Sequence, residues 1–299
     1  MDDWCATTSQ ERDEPLAATA SRVERWLLVE HRGPWGPQSV PSSRMPVAAA
    51  RALAKTAAAA RARLLLLRRP AGVADDDGRW LFAVDSRPGA ERVLARHVAD
   101  DAELVGIVPP YGPAAQGWET VPGPLLLVCT HGRHDRCCAT RGRPVAQALA
   151  ATYPRTTWEC SHVGGDRFAA NLLVLPDGLY LGRVAAEQAV GLVEGLQAGR
   201  LPAGLVRGRS SLPLPTQAAQ GFARGQLDRW GRDDLAPVAQ EHAGPDRWRV
   251  RLGGSPEVDV VVRYDRSGDG TAQVLTCGAE QAKVAAVFRL VGLEVLAPV

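Results

Sequence analysis

Several familiar signatures are missing from this chain of 299 residues, and each absence narrows the range of functions. No Walker loop, G-x-G-x-x-G stretch or G-x-S-x-G elbow occurs, which argues against the common nucleotide-binding and serine hydrolase classes. The 35 basic and 33 acidic residues nearly balance, leaving a net charge of +2. Overall charge therefore gives no reason to expect nucleic acid or an anionic membrane as a partner.

Long apolar segments are missing as well. The N-terminal stretch MDDWCATTSQERDEP is polar and acidic, unlike a secretory signal. The longest strongly apolar runs, such as residues 64–67, are far too short to cross a bilayer. We therefore expect a soluble, cytoplasmic protein in a reducing compartment, where clustered cysteines favour metal or redox chemistry over structural disulfides.

One pattern of apolar stretches occurs twice along the chain. The strand-like RWLLVEHRGPWG precedes the alanine-rich helix MPVAAARALAKTAAAARAR, and LLLVCTHG precedes GRPVAQALAAT in the same way. Pro46 and Pro144 are both expected near the first turn of their helix, where proline is tolerated. The two copies are either an internal duplication or two unrelated βαβ starts.

The segments after each helix complete a similar unit. In the first copy, LLLLRRP and RWLFAVDS are typical of strands, followed by a predicted helix at about 89–100 and a short strand at 103–108. In the second copy, the strand TTWECSHVGG and the hairpin NLLVLPDGLYLGRV precede the amphipathic helix AAEQAVGLVEGLQAG. The order β-α-β-β-β-α, with a hairpin after the crossover, suits a thioredoxin-like layer of helices on a mixed sheet.

We therefore predict an α/β fold with two thioredoxin-like units, a mixed sheet flanked by helices, and a small β-rich or α+β C-terminal domain. The predicted limits are a flexible tail at 1–20, a degenerate thioredoxin-like unit at 21–110, a linker at 111–122, a second unit with the Cys/His site at 123–203, and the C-terminal appendage at 204–299. Cys5 is expected in the mobile tail, and Cys277 as a buried small apolar residue on a C-terminal strand.

Sulfur and imidazole are concentrated in LLLVCTHGRHDRCCATRGRP, at residues 125–144. Three of the six cysteines lie in this stretch, beside His131 and His134. Cys129 and Cys138 have a C-x8-C spacing, which is long enough to wrap a cluster, whereas a zinc knuckle more often shows a C-x2-C pair.

A second loop with metal-binding chemistry, CSHVGGD, spans residues 160–166 at the end of a predicted strand. Gly164 and Gly165 let the backbone pass close to a bulky group. Both loops follow the C-terminal ends of neighbouring strands, so they are expected to meet at one edge of the sheet. Thiolates with imidazole nearby suit zinc, iron or an iron–sulfur cluster.

The stretch CTHGRHDRCC followed by SHVGGDRFAANLLVLPDGLYLGR resembles the sucrase/ferredoxin-like family, over residues 26 to about 200. The resemblance implies a thioredoxin-like [2Fe-2S] ferredoxin domain, with a cluster held by a C-x8-C pair and an H-x3-H pair. The first pair corresponds to Cys129 and Cys138, and the second to His162 and Asp166, so this chain departs from the family pattern at the fourth position. The word sucrase implies no glycosidase here, because no paired-carboxylate motif accompanies it.

The identity of the fourth ligand stays open at this point. Either the carboxylate of Asp166 ligates iron, or Cys160 or Cys137 does so while Asp166 hydrogen-bonds His162 from outside the ligand set. Cys137 is otherwise a buried thiol, since adjacent cysteines close a strained disulfide ring.

Other polar residues near the two loops each have two interpretations. His131 and His134 either complete a compact zinc site with the two cysteines, or hydrogen-bond backbone and sulfur atoms around it. Arg167 pairs with Asp166, supplies positive charge near a reduced cluster, or is a surface arginine. Arg207 lies in a basic stretch that covers the cluster, meets an acidic donor protein, or is a solvated linker.

The function predicted from these residues is [2Fe-2S] cluster binding for one-electron transfer or redox sensing, without substrate turnover by this chain. Its partners would be redox donor and acceptor proteins of unknown identity, with no nucleic acid and no membrane involved. The alternative is a zinc-stabilised binding module without redox activity. A thiol oxidoreductase is a third option, but the chain has no C-x-x-C motif to support it.

Overall fold

The computed structural model describes residues 4–74, 77–113 and 115–297. It contains a ten-stranded mixed sheet flanked by helices, a separate four-stranded sheet near the C-terminus and a two-stranded pair. This architecture confirms the predicted α/β class with a β-rich C-terminal domain. Among the described residues, no helix combines the length and apolar character needed to cross a membrane.

The first unit contains a parallel βαβ crossover followed by an antiparallel hairpin. Its elements are α1 (Cys5–Glu11), β1 (Arg25–Glu30), α2 (Val47–Ala59), β2 (Ala62–Arg68), β3 (Arg79–Asp85), β4 (Arg92–Val98) and β5 (Glu119–Thr120). Strand β2 is parallel to β1, and β3 is antiparallel to β1 on its other side, giving the order β2-β1-β3-β4-β5. The alanine-rich α2 has high helix propensity and buries Ala49, Leu53 and Ala57, which lie four residues apart on one face.

The second unit repeats this topology strand for strand. Its elements are β6 (Leu125–Cys129), α3 (Arg136–Thr152), β7 (Thr157–Cys160), β8 (Leu172–Leu175), β9 (Leu179–Leu181), α4 (Ala189–Gln197) and β10 (Val206–Arg209). Strand β7 is parallel to β6, β8 is antiparallel to β6, and the order is β7-β6-β8-β9-β10. Two units of the same topology are the arrangement that an internal duplication would produce.

The two units join where four strand ends meet. Strands β2 and β7 pair antiparallel over only two residue pairs, one of which joins Leu67 to Cys160. Leu67 also pairs with Glu30 at the end of β1, and Cys160 pairs with Cys129 at the end of β6. The C-terminal ends of all four strands therefore converge at this seam, the kind of position where open α/β sheets place their ligand sites.

The C-terminal domain packs one helix across a four-stranded antiparallel sheet. Its elements are α5 (Leu214–Leu227), β11 (Pro237–Gly244), β12 (Arg247–Leu252), β13 (Val258–Asp265), β14 (Ala272–Gln273), β15 (Lys283–Val284) and β16 (Val287–Val295). The sheet has the order β11-β12-β13-β16. Alternate residues of β13, Val258, Val260 and Val262, are fully buried in one cluster with alanines of α5, as a strand covered on one face requires.

The predicted helix at 89–100 is wrong, because this segment is strand β4, and residues 103–106 form a 3-10 helix instead of the predicted strand. Both faces of β4 are covered. Val93 and Ala95 belong to one core cluster, and Leu94 and Val98 to the other. Two-sided burial removes the polar alternation that identifies a half-exposed strand, so the segment resembled an amphipathic helix.

Three of the predicted domain limits also need correction. Residues 5–11 of the expected flexible tail form α1, in which Cys5 and Ala6 are buried. Strand β5 lies inside the predicted linker and pairs with β4, while β10 lies beyond residue 203 and extends the main sheet. Residues 1–3, 75–76, 114 and 298–299 of the predicted ranges lie outside the described part of the chain.

Candidate metal centre

Cys129 and Cys138 are brought together by the close approach of α3 to the end of β6. Asp135 caps α3, its side chain accepting a hydrogen bond of 2.8 Å from the backbone N–H of Cys137, so the helix begins at residue 136. This start is earlier than expected, and Pro144 lies inside the helix rather than near its first turn. Gly142 permits the close approach, since a Cβ there would lie 2.2 Å from the carbonyl oxygen of Cys129.

The four side chains that the family resemblance implies as ligands lie in one cluster, here called the first donor group: Cys129, Cys138, His162 and Asp166. The donor atoms of Cys129, Cys138 and His162 all lie within 4.8 Å of one another. Oδ1 of Asp166 lies 3.1 Å from Sγ of Cys138 and 2.8 Å from Nδ1 of His162. Two loops separated in sequence therefore present sulfur, nitrogen and oxygen ligands to one place.

Burial and hydrogen bonding in the first donor group fit a metal. Both cysteines are fully buried, Asp166 is nearly so, and the side chain of His162 is 23% exposed. Although Nδ1 of His162 is buried and close to Asp166, it lacks the geometry of a hydrogen bond to any described residue. The carboxylate of Asp166 partners this nitrogen while His162 is protonated, and the nitrogen of a neutral His162 would be available to a metal. Thiolate, imidazole and carboxylate are ligands that fit either zinc or an iron–sulfur cluster.

The four members of the first donor group shift one another's pKa values in opposite directions. The pKa of Cys129 is well below its usual value, chiefly because the thiol of Cys138 donates to it, and the pKa of Cys138 is correspondingly raised. Burial acts to lower the pKa of His162, but Asp166 and Cys129 outweigh it and raise that pKa to about 9. For Asp166, burial acts to raise the pKa, and His162 more than reverses the effect. The geometry thus favours a thiolate and a carboxylate on either side of an imidazolium.

The glycine loop that carries His162 and Asp166 is held from below by Arg207. Its Nη1 donates to the carbonyl of Gly164 at 2.9 Å and to Oδ1 of Asn171 at 2.7 Å, and Nδ2 of Asn171 donates to the carbonyl of Gly165. Gly165 has a φ of +79°, and a Cβ there would lie 2.3 Å from the guanidinium of Arg207. Arg207 therefore fixes the loop, and a glycine is needed at position 165, where the backbone passes over its guanidinium.

Arg207 is a residue whose role was not predicted correctly. It is 1% exposed, so it is neither a solvated linker nor a surface for a partner protein. Its guanidinium lies about equally far from the rings of Phe168 and Tyr180, at 5.1 and 5.2 Å, and burial lowers its pKa to about 10. No local pattern in the sequence distinguishes this arginine from the exposed ones around it.

The two histidines of the first loop lie beside the donor group in different ways. Nδ1 of His131 accepts a hydrogen bond from the backbone N–H of His162, and its Nε2 lies 2.6 Å from the carbonyl of Gly36. Both nitrogens are therefore engaged, and His131 supports the loop. The ring of His134 stacks on His162 at 3.8 Å, and its Nε2 lies 3.7 Å from Oδ2 of Asp166. His134 thus forms the outer rim of the site.

The alternative ligands lie elsewhere. Cys160 is buried in the apolar core, where burial raises its pKa, and among the described residues it joins neither of the sulfur-containing donor groups. Cys137 points to the other side of α3, with its Sγ 3.7 Å from that of Cys5 and 3.4 Å from that of Cys277. Arg167 does not pair with Asp166, because its Nε lies 2.7 Å from Glu14.

Fold and site together define a mixed α/β protein with a thiol-rich candidate metal centre at the seam of two similar units. The model of the sucrase/ferredoxin-like family matches residues 16–208, more than half of the chain, and the chain belongs to that family.

Two crystal structures of cysteine-to-serine variants of the thioredoxin-like [2Fe-2S] ferredoxin from Aquifex aeolicus are similar to part of the chain. Each is 24% identical and covers 29% of this chain and 99% of its own, with a TM-score of 0.25. No curated protein matches the chain.

Proposed function

We propose that this chain is a [2Fe-2S] protein for one-electron transfer or redox sensing, with the cluster held by Cys129, Cys138, His162 and Asp166. The observation that carries the proposal is that the donor atoms of Cys129, Cys138 and His162 converge from two loops within 4.8 Å of one another, with Asp166 in contact with both Cys138 and His162. Membership of the sucrase/ferredoxin-like family supports the same assignment. When bound, such a cluster accepts and releases single electrons.

Exposure indicates where a redox partner would approach. The two cysteines are sealed from water, whereas His162 is 23% exposed and His134, stacked on it, is 36% exposed. Electrons would therefore enter and leave over the two imidazole rings. A partner protein that docks on this face would come closest to the cluster.

The charge of the ligands sets the expected redox range. Two thiolates and a carboxylate leave one more negative charge than two thiolates and two imidazoles would, which disfavours the reduced state. Only one anionic ligand is replaced by imidazole relative to an all-cysteine site. We expect a potential between plant-type ferredoxins, at about −400 mV, and Rieske centres, at about −150 to +300 mV.

Iron and acid-labile sulfide in anaerobically purified protein test the proposal, together with a visible spectrum and EPR after dithionite reduction. We expect two irons, two sulfides and a rhombic S = 1/2 signal, all lost in Cys129→Ser and in Cys138→Ser. Cys160→Ser and Cys137→Ser remove thiols outside the first donor group and should keep the iron. Iron-free protein after chemical reconstitution would contradict the proposal, and loss of iron in Cys160→Ser would reassign the ligands.

A zinc-stabilised binding module is the second candidate, and one observation favours it. The donor atoms of Cys129, Cys138 and His162 lie within 4.8 Å of one another, close enough to serve one ion. This candidate predicts a colourless protein that contains zinc at the first donor group, has no sulfide and unfolds when Cys129 is replaced. The same metal and sulfide analysis separates the two.

A further inference from the structure

A second cluster of metal-binding side chains lies on the opposite side of α3, here called the second donor group: Cys5, Asp135, Cys137 and Cys277. It joins the N-terminal helix, the first turn of α3 and the loop between β14 and β15. All four donor atoms lie within 4.8 Å of one another. The three sulfur atoms form a triangle with edges of 3.7, 3.4 and 3.5 Å.

This triangle has the size of one face of a zinc tetrahedron. Zinc–sulfur bonds of about 2.3 Å at tetrahedral angles place the sulfurs about 3.8 Å apart. Oδ2 of Asp135 lies 3.5 Å from Sγ of Cys5. A zinc–oxygen bond of about 2.1 Å would give about 3.6 Å for that oxygen–sulfur edge. We infer that Cys5, Cys137 and Cys277 bind a structural zinc ion, with Asp135 as the fourth ligand.

The surroundings hold the donors in place for such an ion. Oδ1 of Asp135 accepts from the N–H of Cys137 and Oδ2 from the N–H of Cys277 at 2.6 Å, so the carboxylate is turned toward the sulfurs. Cys5 and Cys137 are fully buried, and the side chain of Arg136 approaches Cys277 and offsets negative charge. Zinc binding would deprotonate the three thiols, and the charge of the ion would then offset the thiolates and the carboxylate.

A disulfide does not account for the same arrangement. The sulfur separations exceed the bonded distance of about 2.05 Å, and all three cysteines are free. Any single disulfide would also leave the third thiol beside the carboxylate. Three thiol ligands and one oxygen at tetrahedral spacing favour zinc over the harder divalent cations.

Zinc at the second donor group would hold α1 and the loop between β14 and β15 against the first turn of α3, next to Cys138 of the first donor group. Cys5 and Cys277 are 272 residues apart, and Cys137 precedes Cys138, a proposed cluster ligand. An ion pair of 2.6 Å between Arg12, which follows α1, and Asp269, in the loop between β13 and β14, also joins the N-terminal helix to the C-terminal domain. The inference goes beyond the proposed function, because it concerns a different metal on the other side of α3.

The first test is zinc and iron content of the full chain, purified under reducing conditions without chelator. We expect one zinc per chain, which falls below a tenth in Cys277→Ser while iron is retained. Cys129→Ser should lose iron and keep that zinc, and Cys160→Ser, the matched control, should keep both. Zinc that is lost in Cys129→Ser but retained in Cys277→Ser would overturn the inference, whatever the iron content.

X-ray absorption at the zinc edge tests the inference on the wild-type protein, so it does not depend on the folding of a variant. Three sulfurs and one oxygen around zinc are expected. Two sulfurs with two nitrogen or oxygen atoms would place the ion at the first donor group instead and overturn the inference. Absence of zinc after anaerobic incubation with Zn²⁺, or a disulfide between Cys5 and Cys277 in reduced preparations, would also overturn it.

Discussion

The two units of the ten-stranded sheet share a topology but differ at corresponding strand ends. In the second unit β6 ends at Cys129, whose sulfur faces Cys138 and His162. In the first unit β1 ends at Glu30, which is 1% exposed, accepts a hydrogen bond from the backbone of Trp80 and pairs with Arg32. One strand end thus meets the candidate ligands of the first donor group, while Glu30 at the other strand end is hydrogen-bonded and ion-paired within its own unit.

The loop of the first unit nevertheless contributes to the site. Its Gly36 carbonyl lies 2.6 Å from Nε2 of His131, and Trp35 contacts the His131 ring edge-on at 5.7 Å. Arg68, from β2, lies over the indole of Trp35. The comparison teaches that the loop after β6 carries candidate ligands, whereas the corresponding loop after β1 carries none of them and packs against His131.

The largest contrast is expected between Cys129→Ser and Glu30→Gln, which change corresponding positions. Cys129→Ser should reduce iron from two per chain to less than a tenth of that, because a buried thiolate ligand is lost. Glu30→Gln should leave iron unchanged and lower the free energy of unfolding by about 1–2 kcal/mol, since the amide oxygen can still accept from Trp80. Iron analysis and urea unfolding measure both. Equal iron loss in the two variants would break the contrast between the units.

Replacement of Arg207 should have the next largest effect, because Arg207 supports the second unit's glycine loop and also donates to Thr19. Arg207→Met leaves the carbonyl of Gly164 and the side chain of Asn171 without their buried donor, which should cost about 3 kcal/mol of unfolding free energy. The iron should also be lost several-fold faster on exposure to a chelator. Arg209→Met, two residues along the same strand, is the matched control and should change neither quantity appreciably. Similar behaviour of the two variants would contradict a role for Arg207 in fixing the loop.

The substitution Asp166→His tests whether Asp166 is a ligand of the cluster. Exchange of an anionic carboxylate for neutral imidazole lowers the negative charge around the irons and should raise the midpoint potential by on the order of 100 mV. Spectroelectrochemical titration measures the change. An unchanged potential in a variant that retains two irons would show that Asp166 is not a ligand.

The smallest effect is expected where the two loops touch. His131→Ala removes the hydrogen bonds to Gly36 and from the backbone of His162, and should lower the free energy of unfolding by about 1–2 kcal/mol and shorten the lifetime of the bound iron. His97→Ala is a suitable control, since it removes a comparable imidazole–indole contact, with Trp80, in the first unit. A longer-lived iron centre in His131→Ala would argue against stabilisation of the site by packing of the first unit's loop on His131.

Local patterns were sufficient to predict features that depend on neighbouring residues. Strand β6 is a short apolar run and β7 a short segment with a central tryptophan, and both lead into loops. The convergence of those loops follows from parallel pairing of β6 with β7. Strand β4 was mistaken for a helix because both of its faces are buried, a property that only the assembled layers create.

Features that depend on distant parts of the chain were not predictable in this way. Cys5 and Cys277 lie close in space only because the N-terminal helix and the C-terminal domain pack against the same turn of α3. Arg207 looks like any surface arginine until β10 adds to the sheet beneath the glycine loop. Long-range packing of this kind leaves no periodic signal in a single sequence.

The proposed cluster and its histidine ligand are tested most directly by pulsed EPR of the dithionite-reduced protein labelled with ¹⁵N-histidine. The account predicts an S = 1/2 signal with strong coupling to a single imidazole nitrogen. This nitrogen coupling should be absent in His162→Ala. A signal without nitrogen coupling would contradict ligation by His162. No paramagnetic signal from protein that contains zinc and no sulfide would contradict the cluster itself.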